Sequence, residues 1–296
     1  MSSPTSELYR LTRRRAAAAI TAVGVLWDRI DRSGDWLAQW QAQLPTALAL
    51  TSAAQFGAAT DAANTVPLEL AASGFREKQL ARVDPRGFAG WMQDADDIGA
   101  SDLAVALTGP VRVARDLTSG DEAARLLAGR AALQGLVRTA VTDAARESSG
   151  VQIVATERAV AVWFEPPPYC QRCAVLIGKR VKLTTQFRRH PQCDGQVQAM
   201  SERDDRALPA ASVDQITDLT EAQRQAIEDG ADVNQVINVS RPQPRGGTTL
   251  RNRGLSTTAG ARRGQTRLTP KGVYQLAGDD REFAIELLRA NGYLIR

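Results

Sequence analysis

A mainly α-helical fold is predicted, and three observations predict it. Alanine and leucine carry most of the 43 % apolar content, while aromatic residues make up only 5 %; that balance suits packed helices better than stacked sheets. Through most of the first 150 residues, apolar side chains recur at helical spacing. After Gly150 the period shortens, and prolines and all three cysteines follow. The expected organisation is a helical domain over 1–150 and a small β/knuckle module with a short helix over 151–240. A basic, flexible linker over 241–267 and a C-terminal docking helix over 268–296 complete it.

Each element has its own justification. From Ser6 to about Ile30, the residues Leu8, Leu11, Ile20, Val23, Trp27 and Ile30 fall on one helical face. Arg13-Arg14-Arg15 and the apolar run to Trp27 imitate a signal peptide. The run passes straight into Asp28-Arg29-Ile30-Asp31 with no small-residue cleavage site, and it is too short to span a bilayer. No targeting or membrane segment is expected. Ser33 reads as the N-cap of a second helix carrying Trp36, Trp40 and Leu44, which opens near Pro45. The alanine-rich stretch to Ser73 should be helical with an interruption at Pro67. Arg76 to Ser119 reads as shorter helices and loops, broken at Asp84-Pro85-Arg86-Gly87 and Gly109-Pro110. Gly120-Asp121 starts a long helix to about Ser148, with Leu126, Leu133, Val137 and Val141 on its apolar face. The tryptophans, at helical spacing, read as core anchors.

Beyond Gly150, Val151-Gln152-Ile153-Val154 and Ala159 to Phe164 have the composition of strands. Lys179 to Phe187 reads as a further strand or extended connection. A short helix from Leu219 to Gly230 can be capped by Thr217 or Thr220. Arg241 to Arg267 contains seven arginines and no acidic residue among Gly, Thr, Gln and Pro. Such a composition cannot build a core. In the last segment, Asp279-Asp280 cap a helix bearing Phe283, Ile285, Leu287 and Leu288. Gly292 is placed to stop it, and Tyr293-Leu294-Ile295 follow as an apolar tip.

The most informative motif gathers every cysteine and the only histidine into one window. Cys170, Cys173, His190 and Cys193 form C-x2-C-x16-H-x2-C. Two close pairs of soft and borderline donors can each grip two corners of a tetrahedral ion, the arrangement of structural zinc. Four ligands leave no open coordination position, so a zinc here holds structure and does no chemistry. Arg172, Lys179, Arg180, Lys182, Arg188 and Arg189 surround the motif, lowering the thiol pKa values and offsetting a three-thiolate centre.

Rival chemistries fit less well. A redox CxxC belongs at a helix start within a βαβ unit, whereas this one follows Glu165-Pro166-Pro167-Pro168. A Cys-His nucleophile would leave two cysteines without a role. Zinc deaminases need their histidine before the CxxC, and here it comes after. Three unrelated thiols in a reducing compartment stay open as the plain alternative. No catalytic residue and no small-molecule substrate are expected. The arginines Arg172, Arg188, Arg189, Arg241, Arg245, Arg251, Arg253, Arg262, Arg263 and Arg267, with Lys179 and Arg180, are the candidates for contact with nucleic acid or an acidic surface.

Ala144-Ala145-Arg146, the strand residues, Pro167 to Gly178 (PPYCQRCAVLIG) and Phe187 to Asp194 (FRRHPQCD) together resemble the MuF-like minor capsid, or head morphogenesis, proteins of tailed phages, common in phages of actinobacteria. Gly230 to Asn238 and Leu268-Thr269-Pro270 to Tyr293 are similar to the same group. The resemblance covers roughly the second half of the chain. It implies a virion component made in the host cytoplasm and built into the head near the portal, with portal and major capsid proteins as partners and packaged DNA within reach. Some relatives carry a fused protease, toxin or enzyme tail, and this chain shows none. The family string usually ends Cys-Asp-Cys; here Gly195 takes the last place, which leaves His190 to complete the ligand set.

Overall fold

The computed structural model describes residues 3–31, 34–93, 100–181, 195–206, 208, 210–238, 256–257 and 266–294. The chain is mainly helical and divides into two compact units. One comprises 1–166 with 178–208, the other 167–177 with 209–296. The expected boundaries at 150 and 240 therefore do not coincide with the observed ones. The strands after residue 150 pack on the helical body and belong with it, while a short proline- and cysteine-bearing segment joins the C-terminal helices.

The first unit is built on three long helices, α1 (Pro4–Trp27), α2 (Trp36–Ala72) and α5 (Glu122–Val154). Between them lie the hairpin strands β1 (Trp91–Gln93) and β2 (Ala100–Asp102), then α3 (Leu103–Ala106) and α4 (Gly109–Asp116). Ser3 caps α1, Asp35 caps α2 and Asp121 caps α5, each through its side-chain oxygen. Ser33, expected to cap α2, lies outside the described residues. The tryptophans are core anchors as expected. Trp27 and Trp40 meet edge to face at 5.2 Å, and their indole N–H groups donate to the carbonyls of Leu126 and Leu107.

Helix α2 runs unbroken through both Pro45 and Pro67, contrary to the expected interruption. Each proline removes a backbone hydrogen bond and costs about 3 kcal/mol in a helix interior. The buried alanine face offsets that cost: Ala58, Ala59 and Ala62 of α2 and Ala140, Ala144 and Ala145 of α5 are all buried. Side chains this small let the helices approach closely, and Ser148 on α5 donates to the carbonyl of Ala59 at 2.7 Å. Gly129 serves the same end where α5 crosses α4 and α1. A Cβ there would lie 2.6 Å from the Trp27 ring and 2.8 Å from the Pro110 carbonyl oxygen.

Val151–Val154 is the last turn of α5 and not the expected strand. Tertiary contacts extend the helix past Gly150. The Gln152 side chain accepts from the Val83 N–H and donates to the Ala81 carbonyl, both at 3.1 Å, and Ile153 is buried. The next strand is where expected: β3 (Ala159–Phe164) lies between β4 (Arg180–Val181) and β5 (Gln196–Ser201), all antiparallel.

In the second unit, α6 (Gln171–Ala174) is followed by α7 (Glu221–Glu228), α8 (Val233–Asn238), the paired strands β6 (Ser256–Thr257) and β7 (Arg267–Leu268), α9 (Pro270–Ala277) and α10 (Arg281–Ala290). Thr220 caps α7 in a capping box with Gln223, and Asp280 caps α10, both as the sequence suggests. The C-terminal helix docks within its own unit: Ala284, Leu288 and Tyr293 share a core with Ala226, Val236 and Val273. Tyr293, in the apolar tip, is part of that core, and its hydroxyl donates to the Leu268 carbonyl at 2.6 Å. Asp229 sits beneath α9 and α10. Burial pushes its carboxyl up, but hydrogen bonds from the Tyr274 hydroxyl and Arg281 outweigh that and hold it below the usual range.

Glu69 is the anomaly of the first unit. It is 2 % exposed, and its oxygens accept from the Thr5 hydroxyl at 2.8 Å and the Ala199 N–H at 2.6 Å. Burial pushes this carboxyl up to about 8, against the smaller lowering from those two donors. The native state therefore holds a proton that the unfolded chain releases above about 4.5. The corresponding stability is present at low pH and drains away as pH rises towards 8, by at most about 1.4 kcal/mol per pH unit. Denaturant titrations of the native chain and Glu69→Gln at pH 5, 6.5 and 8 should show the variant gaining on the native protein as pH rises. A constant difference across that range contradicts the assignment.

Candidate metal centre

Of the four expected ligands, Cys170 and Cys173 are described, and His190 and Cys193 lie outside the described residues. Among the described residues no group of three or more His, Cys, Asp or Glu side chains is placed to hold an ion. The site can be built from its first half only. Pro167-Pro168-Tyr169 deliver the chain to Cys170, which caps the single turn of α6. The N–H of Cys173 donates to the Cys170 sulfur at 3.4 Å, while the Cys170 carbonyl accepts from the N–H groups of Cys173 and Ala174 at 3.1 and 2.9 Å. The two thiols thus sit three residues apart on one turn, the spacing that offers two corners to a tetrahedral ion. Cys173 is 1 % exposed and Cys170 half-buried. The donor chemistry of this half fits a tetrahedral zinc.

The turn is mounted on a loop that the sequence alone does not connect to it. Tyr169 forms a parallel bridge with Ile216: its N–H donates to the Gln215 carbonyl at 2.7 Å, and its carbonyl accepts from the Thr217 N–H and hydroxyl at 2.8 and 3.0 Å. Gln171, between the two cysteines, donates to the Asp218 carbonyl and accepts from the Gln223 amide at 3.4 Å. Thr217 and Thr220, the two cap candidates of the following helix, both lie here: Thr220 caps α7, and Thr217 binds the Tyr169 carbonyl.

The expected cationic residues separate into three groups. Arg172, Lys179 and Arg180 are exposed, with an Arg180 guanidinium nitrogen donating to the Asp204 carbonyl at 3.3 Å. Lys182, Arg188, Arg189, Arg241, Arg245, Arg251, Arg253, Arg262 and Arg263 lie outside the described residues. Arg267 is not available for such contact. It is 7 % exposed, stacks 4.6 Å from the Tyr293 ring centre and donates to Gln235 and the Asn291 carbonyl. Its guanidinium is committed to the interior of the C-terminal unit, and it belongs to β7, not to a solvent-facing tether.

Gly195 has a local cause in the first unit. A Cβ at this position would stand 2.3 Å from Cζ2 and 2.8 Å from Cε2 of the buried Trp163. The Gly195 carbonyl accepts from Arg146 Nε at 2.9 Å, and the same guanidinium lies 5.5 Å from the Trp163 ring centre. No side chain fits while Trp163 keeps its place, and no sequence signal announces that contact.

No family model, curated protein or solved structure matches this chain.

Gly195→Ala should destabilise the protein by about 1–3 kcal/mol through overpacking. Trp163→Phe, which deletes the clashing ring, should cancel part of that loss in a double-mutant cycle read by denaturant unfolding. Additive effects of the two substitutions would refute the contact.

Proposed function

We propose that this chain is a non-enzymatic minor capsid protein of the MuF-like type, built into a tailed-phage head near the portal, in which structural zinc at Cys170, Cys173, His190 and Cys193 fixes the cysteine-bearing module. The observation that carries the zinc reading is the turn at Cys170 and Cys173, with a backbone N–H donated to sulfur. The resemblance of the strings Pro167 to Gly178 and Phe187 to Asp194 supports the phage-head reading. Bound zinc would supply a closed tetrahedral cross-link. The protein's own residues hold the first two corners and exclude water from Cys173.

Portal and major capsid proteins are the proposed partners. The chain would be made in the host cytoplasm and end in the virion head. No helix among the described residues is long and apolar enough to cross a membrane.

A nucleic-acid-binding role is the second reading, favoured by the exposed side chains of Arg172, Lys179 and Arg180. Contact with packaged DNA would show a steep salt dependence without sequence preference; a regulator would add clear preference for one sequence.

Protein purified without added zinc should contain one zinc per chain by elemental mass spectrometry, and Cys173→Ser should lose it. Co-expressed with portal and major capsid proteins, the chain should sediment with assembled heads. Absence of metal refutes the zinc reading, and exclusion from heads refutes the capsid reading.

A further inference from the structure

We propose that Glu69 is a protonation-controlled latch in the first unit: its neutral carboxyl holds the first turn of α1 and the outer edge of β5 against α2, and loss of the proton lets them part.

The geometry makes one carboxyl the meeting point of three elements. Glu69 lies on α2 and is buried. One of its oxygens accepts from the Thr5 hydroxyl of α1, the other from the Ala199 N–H of β5. Strand β5 is the last in the order β4-β3-β5, so an Ala199 N–H that bonds to α2 points away from β3. Glu69 therefore caps a backbone donor on the outer edge of the sheet, where an unpaired strand is a template for another chain.

Nothing at this junction compensates a negative charge. Both donors are neutral, whereas a carboxylate offers about four acceptor sites. The charges on neighbouring elements are engaged elsewhere. On α1, Glu7 pairs with Arg10 and the Tyr9 hydroxyl accepts from Arg13. On α5, Asp143 pairs with Arg146, and after β5, Arg203 pairs with Glu77. None of them acts on Glu69, whose carboxyl burial pushes up to about 8 against the smaller lowering from its two donors. The neutral form keeps both contacts: one oxygen still accepts from Ala199, and the Thr5 hydroxyl can accept the carboxyl proton.

The first turn of α1 is the part with least to hold it. Thr5 is the second residue of the helix, at an end whose N–H groups have no partner within the helix. Such ends open locally at far lower cost than a core. Opening brings Glu69 into water, where its carboxyl returns to about 4.5. Between 4.5 and 8, each pH unit then multiplies the opening constant by about ten. The latch is closed in acid and loosens as pH rises, uncovering the β5 edge at Ala199. This differs from a uniform loss of stability, because one corner opens while α5 stays packed.

Amide hydrogen exchange of the full-length chain at pH 5.5, 6.5 and 7.5, read by NMR and corrected for intrinsic rates, tests the latch. The Tyr9 and Ala199 amides should lose protection about tenfold per pH unit and stay less protected than Ala140 in α5. In Glu69→Gln, where the side chain is always neutral, their protection should be constant over that range. Protection at Tyr9 and Ala199 that ignores pH in the native chain overturns the proposal. Protection equal to that of Ala140 overturns it too, because release would then require unfolding of the whole unit. If Glu69→Gln fails to fold, the native pH series decides.

Discussion

One buried guanidinium joins the helical body of the first unit to its sheet. Arg146 on α5 pairs with Asp143 at 2.8 Å one turn earlier on the same helix, donates to the Gly195 carbonyl at 2.9 Å and faces Trp163 at 5.5 Å. Both members of the ion pair are buried. Removing either partner of such a pair leaves an uncompensated charge, at a cost of about 3–5 kcal/mol. The guanidinium ties α5 to the start of β5 and to the indole of β3. Because Gly195 is held against Trp163, it also fixes where the chain re-enters the sheet after the stretch containing His190 and Cys193.

Polar contacts play the same part elsewhere in the unit, because its apolar side chains are small. An interface of alanines buries little area per residue, and area sets the hydrophobic contribution. Specific hydrogen bonds then fix the register. Gln55 on α2 accepts from the Gly90 N–H and donates to the Trp91 and Ala140 carbonyls, linking α2, β1 and α5. Ser148 links α5 to α2, and Glu69 links α2 to α1 and β5. The C-terminal unit follows a similar plan, with Asp229 joined to α9 and α10 through Tyr274 and Arg281.

What was legible in the sequence is what local chemistry decides. The caps at Asp121, Thr220 and Asp280, the periodic faces of α1 and α5 and strand β3 all carry short-range signals. What was not legible is decided by distant partners. Pro45 and Pro67 do not break α2 because its buried face packs along α5 and α1. Val151–Val154 is helical because Gln152 grips residues 81 and 83. Arg267 and Tyr293 are interior because each satisfies the other's segment. For the candidate site, the cysteine spacing suggests ligands but says nothing of what supports the turn that carries Cys170 and Cys173. A glutamine between two cysteines carries no signal until Asp218 and Gln223 are seen beside it.

The turn bearing Cys170 and Cys173 is fixed by hydrogen bonds of the chain itself, and the zinc proposed above would complete a cross-link there. Zinc K-edge absorption spectroscopy on the purified full-length chain tests that claim most directly. The account predicts a shell of three sulfurs at about 2.3 Å and one nitrogen at about 2.0 Å. A shell dominated by oxygen, or one lacking nitrogen, would contradict it.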